Sequence, residues 1–225
     1  LYGRRGRRGA DAADHDLFYK EPERDKEGVT LGQKFRDIGI ALSDLKLTSL
    51  LIILGAFFWL PFWCFFNLCA VYVDSNLDTA RLYQSMAAVL GSGIAGFFSQ
   101  VDEAGTRRIL GETISHTGWI IMLFQVFVSS IAQRTRAMPT VLFGLLLIAI
   151  GFAVIGLANI TAPAIVFLGI LIFAVGEMAA SPRIQEFIAR QAPKEKAGLY
   201  VGTNFLAVGV GAFSGVIYTP VYGRL

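Results

Sequence analysis

The apolar positions of this chain come in long blocks separated by short polar runs, with no two-residue alternation of the kind a half-buried strand shows. A helix needs about 18–20 apolar residues to cross a hydrocarbon core of about 30 Å. Blocks near that length lie at 48–73 (TSLLIILGAFFWLPFWCFFNLCAVYV), 114–132 (ISHTGWIIMLFQVFVSSIA), 140–158 (TVLFGLLLIAIGFAVIGLA), 164–181 (AIVFLGILIFAVGEMAAS) and 199–222 (LYVGTNFLAVGVGAFSGVIYTPVY). The pattern predicts an all-α polytopic membrane protein, a helical bundle of about five transmembrane helices over 47–222. Pro61 falls inside the first block and predicts a bend, since proline frees a backbone carbonyl. Within the long segment 74–111, SMAAVLGSGIAGFF (85–98) is apolar but short and rich in glycine, which predicts an interfacial or re-entrant piece. VTLGQKFRDIGIALSDLKL (29–47) mixes apolar and charged positions at near-helical spacing and predicts a helix along the membrane surface. Ser181-Pro182 is expected to end the fourth span, with a short amphipathic helix in the polar connection that follows.

Composition supports the same class. The chain is 54% hydrophobic and 16% charged, where a soluble domain carries about a quarter charged residues. Its mean hydropathy is +0.56 and its 24 glycines suit closely packed membrane helices. The net charge of +3 does not point to nucleic acid, because membrane proteins become basic through their cytoplasmic loops. The turn 133–139 holds Arg134 and Arg136, and the connection 182–198 holds Arg183, Arg190, Lys194 and Lys196. The turn 159–163 holds no cation. These segments alternate in side, so the positive-inside rule puts residues 1–46 in the cytoplasm, as a solvated linker. The expected location is the inner (plasma) membrane. Leu1 opens the chain inside a basic stretch, and the last apolar block ends close to Leu225, so the chain reads as a fragment. Cys64 and Cys69 sit in an apolar run without zinc-site spacing and read as lipid- or core-facing thiols.

Against this background Glu177, in FAVGEMAASP, stands out. An ionisable residue within a span is by default a functional candidate that faces a cavity or a partner. A carboxylate that exchanges its proton there suits proton coupling, and a charged one suits an ammonium group. The alternative is a structural glutamate reached by water or by Arg183. His116 could titrate near neutral pH, or serve as an interfacial polar residue. Asn67, Gln125 and Asn204 each need a hydrogen-bond partner within their spans. A shared wet cavity would satisfy all three, and separate interhelical bonds would satisfy each one singly. Trp63 is mid-span and could line a cavity, whereas Trp119 reads as an interface anchor. There is no nucleophile–base pair, no HExxH and no His/Asp/Glu cluster with metal spacing. The chain is therefore not expected to be an enzyme, or to carry a cofactor or a metal.

The order of these features resembles the C-terminal half of a major facilitator superfamily transporter, and most closely the proton-coupled oligopeptide (peptide) transporter family and its bacterial relatives. Five features carry the resemblance: Phe62-Trp63 and Phe66, the QRTRAMP turn, Gly176-Glu177 followed by Ser181-Pro182, the APKEKAG connection, and Gly202 with Phe205-Leu206 and Gly211. It covers residues 30–222 and implies that the five spans are helices seven to eleven of twelve, with an N-terminal half and helix twelve outside the chain. It further implies a cavity-facing role for Glu177, at the peptide amino terminus. Where the family carries an acidic residue followed by glutamine, this chain has Asn67 and Leu68. An aromatic residue of the family's helix eleven is here Asn204.

The expected function is secondary active transport of small solutes by alternating access, with proton-coupled uptake of di- and tripeptides as its narrower form. Glu177, Asn67, Trp63 and Asn204 are the substrate-binding candidates, and Glu177 and His116 the proton-coupling candidates. The expected partners are a small-molecule substrate, a proton or other coupling ion, the lipid bilayer and the missing N-terminal half. A non-transporting membrane scaffold is the main alternative, and a membrane-embedded transferase a weaker one.

Overall fold

A computed structural model describes residues 30–193 and 196–224. Residues 1–29 of the expected linker therefore lie outside the described residues. The chain divides at Asp37/Ile38 into two units. Of the first unit, residues 30–37 are described. Thr30 and Gln33 cap each other reciprocally, Gln33 N–H to Thr30 Oγ1 and Thr30 N–H to Gln33 Oε1, and so start helix α1, Leu31–Leu42.

The second unit holds five helices long and apolar enough to cross a membrane. The first is α2, Leu45–Asn76, capped at its start by the Asp44 side chain. Its helix widens by one residue at Gly55–Trp59, where Leu60 N–H bonds to the Gly55 carbonyl. Pro61 explains this. It has no N–H to give and its ring crowds the preceding turn, and the wider turn absorbs both effects.

Segment 74–111 is folded. Asp78 caps α3, Thr79–Leu90, through the N–H groups of Ala80 and Arg81. Gly91, at φ 84°, turns the chain into α4, Ser92–Phe97. A two-residue antiparallel hairpin follows, β1 Gln100–Val101 with β2 Arg107–Arg108. Asp102 organises its turn by accepting from Ala104 and Thr106 and pairing with Arg108 at 2.7 Å. Alternation did not signal this hairpin, because its strands are exposed and only two residues long. The side chain of Asp74 accepts the Gly111 N–H at 2.7 Å and so starts the next span against α2.

That span, Gly111–Ala132, is broken at His116-Thr117 into α5, Gly111–Ser115, and α6, Gly118–Ala132. The remaining spans are α7, Ala137–Leu157, α8, Ile165–Gln191, and the pair α9, Ala197–Ala212, with α10, Ser214–Tyr222. Helix α8 does not stop at Ser181-Pro182, as the sequence suggested. It runs through Pro182 to Gln191, with Ile184 and Ile188 fully packed. Losing one N–H near the end of a well-packed helix is tolerable when neighbouring groups satisfy the freed carbonyl.

Among the described residues, helices α7 and α8 form the most extensive helix–helix contact. Gly144 and Gly151 on one helix face Gly176 and Gly169 on the other. A Cβ built on Gly144 would lie 2.7 Å from the Gly176 carbonyl oxygen, and one on Gly176 would lie 2.7 Å from that of Gly144. Gly151 and Gly169 oppose each other in the same way, with 3.0 Å in both directions. In lipid there is little hydrophobic force between helices, so close backbone approach through small residues supplies the dispersion contact instead. A second close approach joins α2 to α9, where a Cβ on Gly211 would meet the Trp59 backbone at 2.6 Å. The two parts meet in an aromatic cluster, with Phe65 stacked on Phe173 at 4.0 Å and Phe62 on Phe173 at 6.2 Å.

Candidate functional site

Glu177 sits one turn after Phe173 on α8, and one residue after Gly176, which is locked against α7. Its backbone is therefore held where α8 lies backbone to backbone against α7. Its carboxylate Oε2 accepts a hydrogen bond from Thr117 Oγ1 at 3.3 Å. Thr117 is almost wholly buried and precedes the first residue of α6. The carboxylate thus lies at the N-terminal end of a helix, where the partial positive charge of unpaired N–H groups attracts an anion. Arg183 does not reach back to Glu177. Its guanidinium donates to the Thr135 carbonyl and pairs with Glu186, which also pairs with Arg190 at 2.5 Å. The arginine thereby fastens the α6–α7 turn to α8.

His116, beside Thr117, is exposed, and its Nδ1 lies 2.9 Å from the Glu112 carbonyl. Thr117, which no pattern in the sequence singles out, is the residue of this pair that meets Glu177. The signal that could have revealed it is the SHTG run at the head of an apolar block, where a polar pair interrupts the span.

Two of the other candidates join α2 to the α9–α10 span at different levels, and Gln125 bonds within its own helix. Asn204 on α9 is fully buried, and its Oδ1 accepts from Trp59 Nε1 at 3.3 Å. Asn67 on α2 donates to Ser214 Oγ, at the break between α9 and α10, at 3.0 Å. Gln125 bonds to Ser129 within its own helix at 2.7 Å. No hydrogen bond among the described residues joins any two of Glu177, Asn67, Trp63 and Asn204. Trp63 belongs to the aromatic cluster, packing edge-on against Phe62 and Phe66. Two donors in this region bond to no group among the described residues, the Nδ2 of Asn204 and the Nε1 of Trp63, both buried. A buried donor left unpaired costs about 1–3 kcal/mol, so each is a position that water or a polar ligand would satisfy. Trp119, expected at an interface, packs against Phe97 and Phe98 at 6.0 and 5.9 Å.

These features define a predominantly helical chain with five helices long and apolar enough to span a membrane. They also define one carboxylate, placed within such a helix, that a helix break on a second span contacts. No family model, no curated protein and no solved structure matches the chain.

Proposed function

We propose that the chain forms one side of the substrate site of a secondary active transporter, of the major facilitator type that its sequence resembles. The observation that carries this reading is Glu177, an acid inside a spanning helix whose partner is a neutral hydroxyl at a helix break. Intramembrane ionisable residues mark substrate and ion pathways, and transporters build their sites from interrupted helices near the midplane. The substrate would be a small amphipathic or zwitterionic solute, a di- or tripeptide first, with a proton as coupling ion. Glu177 would receive the ammonium group. The Nδ2 of Asn204 and the Nε1 of Trp63 would offer hydrogen bonds, and the rings around Phe62 would meet apolar side chains. A second bundle would complete the site and rock against this one.

The test is uptake of a labelled dipeptide into cells that express the whole transporter, with Glu177 or with Glu177→Gln. Loss of proton-driven uptake in a variant that still reaches the membrane supports the reading, and unchanged uptake at every pH rejects it. A second reading, a non-transporting membrane scaffold, is favoured by Asn67. This residue cannot titrate, and the structure ties it to Ser214. No uptake above background with Glu177 in place, together with an assembly partner lost when the chain is removed, would select the scaffold.

A further inference from the structure

An apolar groove of about 580 Å³ runs between α6, α7 and α8. Phe124, Phe127 and Ile131 form one wall, Phe143 a second, and Leu171 with Val175 a third. At one end the groove reaches Thr135 and Thr140. Thr135 also lines a neighbouring concavity of about 540 Å³, whose walls include Arg134, Arg136, Arg190 and Gln191. The apolar groove and the cationic concavity therefore share a wall. The turn between them is held in place by Arg183, which binds the Thr135 carbonyl. From Phe124 to Thr135, α6 and its turn cover about 16 Å at 1.5 Å per residue. That is about half of a 30 Å hydrocarbon core, the depth of one leaflet.

We propose that this composite surface binds an anionic phospholipid, with an acyl chain along the groove and the phosphate at the arginines. The groove alone would take any lipid tail, but the charge at its end selects the occupant. Arg190 is partly neutralised by Glu186 at 2.5 Å. Among the described residues, neither Arg134 nor Arg136 has a carboxylate within ion-pair distance. Basic pockets between membrane helices at the cytoplasmic side hold anionic head groups in this way. The positive-inside pattern puts the same arginines on that side. Neither the groove nor the arginines include Glu177 or any other transport candidate, so this inference stands apart from the proposed function.

The test uses the full chain purified in non-ionic detergent, with bound lipid counted by native mass spectrometry after adding phosphatidylglycerol or phosphatidylcholine of matched chains. Phosphatidylglycerol should be retained roughly 25-fold better at low salt, and Arg134→Gln with Arg136→Gln should remove that preference at about fivefold per arginine. Retention of phosphatidylcholine should be unchanged in that variant. Val175→Trp, which fills the groove and leaves the arginines, should reduce both lipids. This keeps the proposal testable if the arginine variant fails to fold. Equal retention of the two lipids overturns the proposal, as does a preference that survives in the arginine variant. Displacement of phosphatidylglycerol by millimolar inorganic phosphate would also overturn it, by showing a free-phosphate site.

Discussion

Helices α7 and α8 and helix α6 are neighbours of opposite construction. In α8 half of the most apolar 18-residue window is buried, whereas in the span containing α6 the share is 17%. The α7–α8 pair meets backbone to backbone through four glycines. Helix α6 has none after Gly118, and it presents Met122, Leu123, Val126 and Phe127 outward. The difference teaches where rigidity and function divide. A membrane helix that meets its neighbours without glycines approaches them less closely, so its contact energy is lower. Helix α6 is fixed chiefly at its ends, by Thr117 on Glu177 and by the Arg183 link at Thr135. Glu177 thus rests on the glycine-packed pair and meets the span of α6 through Thr117.

The comparison can be broken most directly at the glycines. Gly176→Ala puts a Cβ 2.7 Å from the Gly144 carbonyl oxygen. It should destabilise the chain by about 1–3 kcal/mol, the cost of overpacking. Gly156→Ala, where nothing lies within 4 Å, should leave stability unchanged or slightly improved. Thermal or denaturant unfolding of both variants in the same detergent checks the contrast. Next in size is Arg183→Gln. It leaves Glu186 to Arg190 and releases the Thr135 carbonyl, for a loss of about 1–2 kcal/mol on the scale of a charged hydrogen bond. The labelling rate of a cysteine introduced at exposed Gln133 should rise in this variant. Thr117→Val removes the donor to Glu177 while keeping the side chain's shape. At 3.3 Å the bond is long, so the effect on stability should be under about 1 kcal/mol, while ligand affinity or uptake shifts. The smallest change belongs to Asn67→Leu, which removes one interhelical hydrogen bond worth about 0.6 kcal/mol in a bilayer. A similar small loss for all three polar candidates would erase the distinction between site and scaffold.

Much of this fold was legible in the sequence because lipid imposes a coarse rule. Five apolar blocks gave five helical spans, two of them broken, whose ends moved by about a turn except at α8. The Pro182 error was physical. Proline forbids one hydrogen bond but does not forbid a helix, and the buried Ile184 and Ile188 kept α8 intact. The hairpin at 100–108 was hidden because turn chemistry at Asp102 and Gly105 builds it, not alternation. At the candidate site, Glu177 was conspicuous as a lone acid in an apolar block. Its partner Thr117 was not, since threonine is common in spans and only tertiary packing brings residues 60 apart together. The choice of Trp59 as the partner of Asn204 likewise depends on the close approach of α2 and α9 at Gly211.

The central claim is that Glu177 receives a substrate's ammonium group. It is tested most directly by the affinity of the whole transporter for a dipeptide and for its N-acetylated form, each measured with Glu177 and with Glu177→Gln. The account predicts that the free amine is preferred by at least about tenfold, equivalent to 1.4 kcal/mol, and that the preference vanishes in the Gln variant. A preference of equal size in both proteins would contradict it.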